Sequence, residues 1–234
     1  GSAGAVGEPM AVRGAPAGVR ATLFVVGSVA TARASALRRA AEAGHVVASH
    51  SQTHPALSRV PAAQWKTELV DSRRAIEDAT GLPCNGFRAP YFDLPHGFGP
   101  VLEEAGFTWS SSKAPFSPIA YYRHVRACRA PHALDGTCVV EHPVPGFLGL
   151  PLPEGVSWRR LFWPLTALPA RPPRVFYLHP YDLLDDAKEF NGPRWRHALM
   201  TARGGSWART RLSGWLAAWK QAGAVFEPLS GAGA

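Results

Sequence analysis

Apolar and polar positions along this chain fall into short blocks whose period changes from block to block. Arg20 to Val26 (RATLFVV) and Val46 to Ser49 are apolar runs of strand length, the mark of buried strands. Between them Ala32 to Ala43 reads as a helix closed by Gly44, because glycine takes the left-handed conformation of a helix end without steric cost. The strongest helical pattern runs from Pro61 to Thr80. There Trp65, Leu69, Ser72 and Ile76 share one face, Pro61 suits the first turn and Gly81 ends the helix. Gly86 to Tyr91 (GFRAPY) reads as a strand running into a loop, Phe98 to Ala105 as a short helix stopped by Gly106, and Phe107 to Ser110 as another strand.

Further along, Tyr121 to Cys128 and Thr137 to Glu141 predict a hairpin turning at Asp135-Gly136. A Pro/Gly-rich passage from Pro143 to Gly155 precedes a helix near Ser157 to Ala167 and a strand at Arg174 to Leu178 (RVFYL). A last helix, Thr210 to Ala222, carries Leu212, Trp215, Leu216 and Trp219 on one side, and Val225 to Leu229 predicts a closing strand. Strands alternating with helices imply an α/β fold with a largely parallel sheet, open or closed into a barrel. Residues 19–230 are expected to form one domain. Residues 1–18 are Gly/Ala/Pro-rich and expected to be flexible; Gly1-Ser2 resembles a tag remnant, and Met10 is a candidate native start.

Composition adds exclusions. An apolar content of 46% rules out a disordered chain. No apolar run has the length of a membrane span, and no signal peptide is visible. The net charge of +8 comes mostly from scattered arginines without a dense basic tract or nucleic-acid motif, so no nucleic-acid partner is expected. Cys84, Cys128 and Cys138 are too few and too irregular for a disulfide framework, although Cys128 and Cys138 could face each other across the hairpin. A cytoplasmic location is the expectation.

Candidate chemistry gathers where predicted strands end. His50 and His54, in HSQTH, lie four residues apart, a spacing that suits chelation of one divalent metal but also fits a surface or core pair. On a parallel α/β scaffold HSQTH, RAPY and LHPY would converge on one rim. A metal on His50 and His54 could polarise a carbonyl and activate water there. His179 could protonate a leaving amine, the backbone N–H of Tyr91, after Pro90, could stabilise an oxyanion, and Arg88 could orient a carboxylate. Each also has a structural explanation: a surface ion pair for Arg88, a turn for Pro90-Tyr91, a strand cap for His179. Together they suggest metal-assisted hydrolysis of an amide or ester.

These motifs resemble those of the polysaccharide deacetylases of the NodB-homology type (carbohydrate esterase family 4). GHVVASHSQTHPAL is similar to the second motif of that family, GFRAPY to the third and FYLHPYD to the fifth, while ATLFVVG resembles the strand before the metal-binding region. The subgroup tied to bacterial exopolysaccharide is the nearest resemblance, through GFRAP, FTWSSS, EHPVP and VFYLHPYD. The resemblance runs from about Arg20 to Leu229. It implies a distorted (β/α) barrel of seven or fewer strands and removal of an N- or O-acetyl group from a glycan or glycoconjugate. His50 and His54 would hold a metal, most commonly zinc, Arg88, Tyr91 and His179 would be catalytic, and Pro90, Tyr91 and Trp109 would face the sugar.

Two departures qualify it. Family members begin with a strand carrying an acidic pair, one Asp acting as base and the other as third metal ligand. Here the only acids before His50 are Glu8 and Glu42, neither at a strand end, so the first strand–helix unit is expected to be missing. The N-terminal segment, a neighbouring subunit (a second copy or another chain) or a rearranged strand would then cover the open sheet edge. Glu141, His142 and Asp182 are in-chain candidates for a third ligand. Secondly, Ser110 stands where relatives carry an Asp that tunes the acid histidine. The alternatives to a working deacetylase are a degenerate relative that binds without turnover, or a scaffold recruited to C–N hydrolysis of a small amide.

Overall fold

In the computed structural model, which describes residues 18–114, 127–146, 152–164, 166, 172–185, 198 and 201–231, the strands gather into one six-stranded sheet. Strand β1 (Thr22–Val25) leads through two short helical segments, Gly27–Ala30 and Thr31–Arg33, into helix α1 (Ala34–Glu42), and β2 (Val46–Ser49) follows. Helix α2 (Ala62–Thr80) connects to β3 (Gly86–Phe87), α3 (Gly99–Glu104) to β4 (Trp109–Ser110), and the hairpin β5 (His132–Ala133) and β6 (Val140–Glu141) comes next. Sheet order is β1-β2-β3-β4-β6-β5, parallel except for the β5–β6 pair. The parallel α/β class expected from the sequence is thus the one found. Because β1, β2, β3, β4 and β6 run the same way, residues following them share one rim.

The α2 stripe packs as its spacing requires: Leu69, Ser72 and Ile76 are buried, and the Trp65 indole N–H donates to the carbonyls of Leu57 and Val60. Gly81 closes α2 at φ 74°. This helix, with Phe87, Phe98, Leu102 and Phe107, forms the first core. A second core lies between α4 (Val156–Leu161), α5 (Pro180–Leu183) and α6 (Gly205–Gln221), where Leu212, Trp215, Leu216 and Trp219 are buried. Arg159 is fully buried there, paired with Glu154 at 2.6 Å and lying over the rings of Trp219 and Trp215. A small cluster of Phe92, Ala114, Val144 and Tyr177 lies apart from both.

Several boundaries differ from the sequence expectation. The arm of the hairpin that pairs with Val140–Glu141 is His132–Ala133, while Cys128 is in a loop; residues 1–17 and 121–126, on which other expectations fall, lie outside the described residues. The turn itself is where expected, with Asp135 at φ 49° and Gly136 at φ 77°. Arg174 to Leu178 contributes one isolated bridge, Tyr177 to Gly155, instead of a strand. Val225 to Leu229 is irregular. Its end is held by the Leu229 N–H on the Thr22 hydroxyl and by a bond between His142 Nε2 and the Ser230 carbonyl. Helix α6 begins five residues early because the Asp185 carboxylate caps the Ser206 N–H and binds Arg209. The three cysteines are free thiols, and no helix among the described residues is long and apolar enough to cross a membrane.

Candidate active site

His50 directly follows β2, and its backbone N–H continues the ladder to Val25. Its ring Nδ1 lies 2.7 Å from the carbonyl oxygen of Arg88. A carbonyl only accepts, so Nδ1 carries the hydrogen and Nε2 keeps a lone pair. Burial drives the His50 pKa down to about 3, against the Arg88 carbonyl bond, which favours the charged ring; the charges of His54, Arg88 and His179 lower it further. The His54 pKa is also lowered, by burial first and then by His179. Both imidazoles are therefore neutral at physiological pH, the form that binds metals.

The loop between them is shaped by one carboxylate. Glu68, on α2, accepts from the N–H groups of Gln52 and Thr53, both at 2.9 Å, and from the Thr53 hydroxyl at 2.6 Å. Ser51 and His54 both adopt φ 63°, and the Ser51 hydroxyl accepts the His54 N–H. The turn brings the His50 and His54 rings to 4.9 Å, edge to face, and the Tyr91 ring lies 4.8 Å beyond His54. Tyr91 and Phe92 also have positive φ, 58° and 55°, an uncommon conformation for bulky residues that holds a tight bend after Pro90. Pro90 is buried and Tyr91 is 47% exposed.

Arg88 follows β3 and is enclosed. Its Nε donates to the Ser111 carbonyl at 2.7 Å and Nη2 to the Ser111 hydroxyl at 2.6 Å, while the guanidinium lies 4.1 Å from the Phe24 ring centroid. Burial lowers its pKa to about 10, against the opposing charges of Glu141 and Tyr177. Among the described residues no carboxylate lies in ion-pair range of Arg88. Glu141 is completely buried at the end of β6. Its Oε1 accepts from the N–H groups of Ser112 and Lys113, and its Oε2 has no hydrogen-bond partner.

His179 enters from the second core, at the start of α5. Its Nδ1 faces the Tyr181 hydroxyl at 2.8 Å, Ser157 Oγ at 3.3 Å and Asp182 Oδ2 at 3.7 Å. The His179 ring packs on Tyr177 at 5.2 Å, and Tyr177 packs on Phe92, next to the Tyr91 bend, at 5.4 Å, so the LHPY segment lies beside RAPY and, through Tyr91, beside the histidine pair. Ser110 does not orient it; that hydroxyl is buried against Ser112, 2.8 Å away. Asp182 is engaged by Ser157 and Arg160, and His142 by Ser230, so neither extends the histidine pair. Among the described residues no group of three or more His, Cys, Asp or Glu could hold a metal ion. The fit for a metal is thus a half-site of two neutral imidazoles.

Trp109 requires a correction. It is 3% exposed, edge-on to Phe24 at 6.0 Å, and its ring fills the space where a Cβ on residue 86 would stand. With no free face, it is a packing residue rather than a sugar platform. Glu68, Ser111, Ser157 and Tyr181 were not singled out by sequence reasoning; Glu68 and Ser157 have no motif, while Ser111 lies inside FTWSSS and Tyr181 inside LHPYD.

Residues 15–110 match the family model "Polysaccharide deacetylase". Chitin deacetylase 1 of Cryptococcus neoformans var. grubii is 31% identical over 96 residues, 40% of this chain and 20% of that protein. A chitooligosaccharide deacetylase of Bradyrhizobium sp. is 41% identical over 75 residues, 31% of this chain and 34% of that protein. The chain therefore spans a fifth to a third of the length of these relatives. A crystal structure from Mycobacterium smegmatis, described as a candidate polysaccharide deacetylase, matches with a TM-score of 0.52 over 86% of this chain and 65% of that one. At 20% identity it supports the fold alone.

Proposed function

We propose, on the match of residues 15–110 to the polysaccharide deacetylase model, that the chain belongs to that family and is a metal-dependent hydrolase removing an acetyl group from a glycan or glycoconjugate. The observation that carries the reading is the row of ring contacts from the His50–His54 pair to Tyr91, and from the adjoining Phe92 through Tyr177 to His179. His50, through Nε2, and His54 would hold the ion, with zinc the expected metal. When bound, it supplies Lewis acidity toward the acyl carbonyl and lowers the pKa of water.

The chain's own groups then have distinct tasks. The backbone N–H of Tyr91, presented by the positive-φ bend, stabilises the oxyanion as the carbonyl carbon becomes tetrahedral. His179 gives a proton to the departing amine or alcohol oxygen, so that the leaving group departs neutral. The exposed Tyr91 ring and the buried Pro90 shape the acyl end of the site. Arg88 fixes the rim: its carbonyl orients His50, and its guanidinium ties β3 to the segment after β4. Exopolysaccharide remains the proposed source of the glycan, on the strength of GFRAP, FTWSSS and EHPVP.

One observation favours a second reading, binding without turnover: the Arg88 side chain is engaged by Ser111 and, among the described residues, not by a carboxylate that could act as base. Acetate release from N-acetylated oligosaccharides and O-acetylated glycans, with zinc added and with zinc chelated, separates the two. Zinc-dependent release that His179→Gln abolishes supports hydrolysis. Saturable oligosaccharide binding with no release at any added metal supports the second.

A further inference from the structure

We infer that Ser157 and Asp182 fix the tautomer of His179, so that Nδ1 carries the ring hydrogen and Nε2 is the atom that exchanges a proton with the occupant of the site. The catalytic meaning of this assignment rests on the deacetylase reading; the assignment itself rests on hydrogen-bond bookkeeping. Ser157 has one hydroxyl hydrogen, and its Oγ lies 2.9 Å from both carboxylate oxygens of Asp182. An ionised carboxylate only accepts, so that hydrogen is committed to Asp182. The Ser157 lone pairs remain, and across 3.3 Å they face His179 Nδ1, from which they accept.

Asp182 is kept ionised by what surrounds it. Burial pushes its pKa up, but bonds from His179 and the charges of His179 and Arg160 outweigh that and hold it below the usual carboxylate range. Arg160 Nε donates to Oδ1 at 2.8 Å, and the His179 backbone N–H donates to Oδ2 at 2.9 Å. The carboxylate is thus anchored to the residue whose ring it influences. Oδ2 itself lies 3.7 Å from Nδ1, a second acceptor on that side.

Tyr181 is the one neighbour able to donate to Nδ1. Its hydroxyl lies 2.8 Å from Nδ1 and its ring stacks on the imidazole at 4.6 Å, but a phenol oxygen accepts as well as donates, so it can serve a protonated Nδ1 equally. It therefore follows the tautomer and does not set it. With Nδ1 so engaged and the side chain 41% exposed, the opposite nitrogen is the one open to a ligand. Ser157 and Asp182 are positioning residues. They supply from α4 and α5 the orientation that Ser110, bonded to Ser112, does not.

The test is long-range proton–nitrogen correlation on the full chain labelled with 15N-histidine, recorded above the pH at which the imidazoles titrate. His179→Gln identifies the resonance among the nine histidines. The expected spectrum has a protonated Nδ1 and a lone-pair Nε2 for His179. Ser157→Ala should turn the Nε2–H form from a trace into a major species, Ser157→Thr should restore the original pattern, and Tyr181→Phe should leave it unchanged. A wild-type ring protonated on Nε2, an unaltered pattern in Ser157→Ala, or a tautomer flip in Tyr181→Phe would each overturn the assignment. The spectra need neither metal nor substrate, so they decide it whatever the acetate-release assay finds.

Discussion

The Arg88 carbonyl oxygen accepts the Nδ1 hydrogen of His50 at 2.7 Å, tying the end of β3 to the end of β2 through a side chain. That bond fixes the imidazole's orientation and leaves Nε2 as its donor. Metal-binding histidines are commonly oriented in this way by a carbonyl or carboxylate behind them.

Zinc binding should therefore depend on both rings. By titration calorimetry of chelator-treated protein, His54→Ala is expected to weaken zinc binding by more than the roughly 10–100-fold that loss of an outer-shell partner costs. His45→Ala should leave it unchanged, because His45 Nδ1 accepts the Ala21 N–H near the opposite end of β1. Stoichiometric, unweakened zinc in His54→Ala would remove the metal from this pair.

The lowered His50 pKa has a signed consequence for stability. The unfolded ring binds a proton as pH falls through about 6.5, whereas the folded ring resists until about 3. The unfolded state thus binds more protons across that window, and folding stability falls as pH drops through it. Above it the contribution is constant. Between pH 6.5 and 4.5 this one ring is worth about 2–3 kcal/mol. Urea unfolding of the metal-free protein at the two pH values should show it, and His50→Gln should remove that part of the slope.

Glu68 offers a test of how the histidine turn is built. Glu68→Ala removes acceptors for two backbone N–H groups and one hydroxyl, all near the surface. The expected loss of stability is about 1–2 kcal/mol. Zinc affinity should fall as well, although Glu68 accepts no bond from either imidazole. An unchanged affinity would show that Ser51 and the backbone hold the turn without it.

Trp109 and Gly86 form a fitted pair. A Cβ at residue 86 would stand 1.9 Å from the Trp109 ring, so Gly86→Ala must displace a buried indole. The cost should be on the order of 1–3 kcal/mol, and Trp109→Ala should cost about 3–5 kcal/mol. In assays run well below the melting temperature, Trp109→Phe should leave KM for an oligosaccharide unchanged, as a packing role requires. A raised KM at unchanged stability would return Trp109 to the binding surface.

The chain order was legible wherever the signal is local. The Val46–Ser49 strand, the α2 stripe and the Asp135-Gly136 turn each follow from a few neighbouring residues. The hairpin partner was not: His132–Ala133 follows a proline, has no β-branched residue, and pairs only because β6 lies beside it. Val225–Leu229 has strand-like residues, yet its end is tied by side-chain bonds to Thr22 and His142, contacts invisible to periodicity. The site divides similarly. The histidines, Arg88 and Tyr91 lie in compact motifs. Glu68, Ser111 and Ser157 act across 15 to 25 positions, where a lone polar residue looks like any other.

The Phe92–Tyr177 contact, edge to face at 5.4 Å, has a consequence for how this centre would fail. Phe92 follows the bend beside His54, while Tyr177 lies two residues before His179 and bridges to Gly155. The alignment of His179 with the His50–His54 pair is thus set at a seam, and neither large core contains it. Loosening that seam would leave each functional group intact and correctly bonded to its own neighbours. The centre would be lost to misregistration, like two sound halves of a key cut on separate blanks.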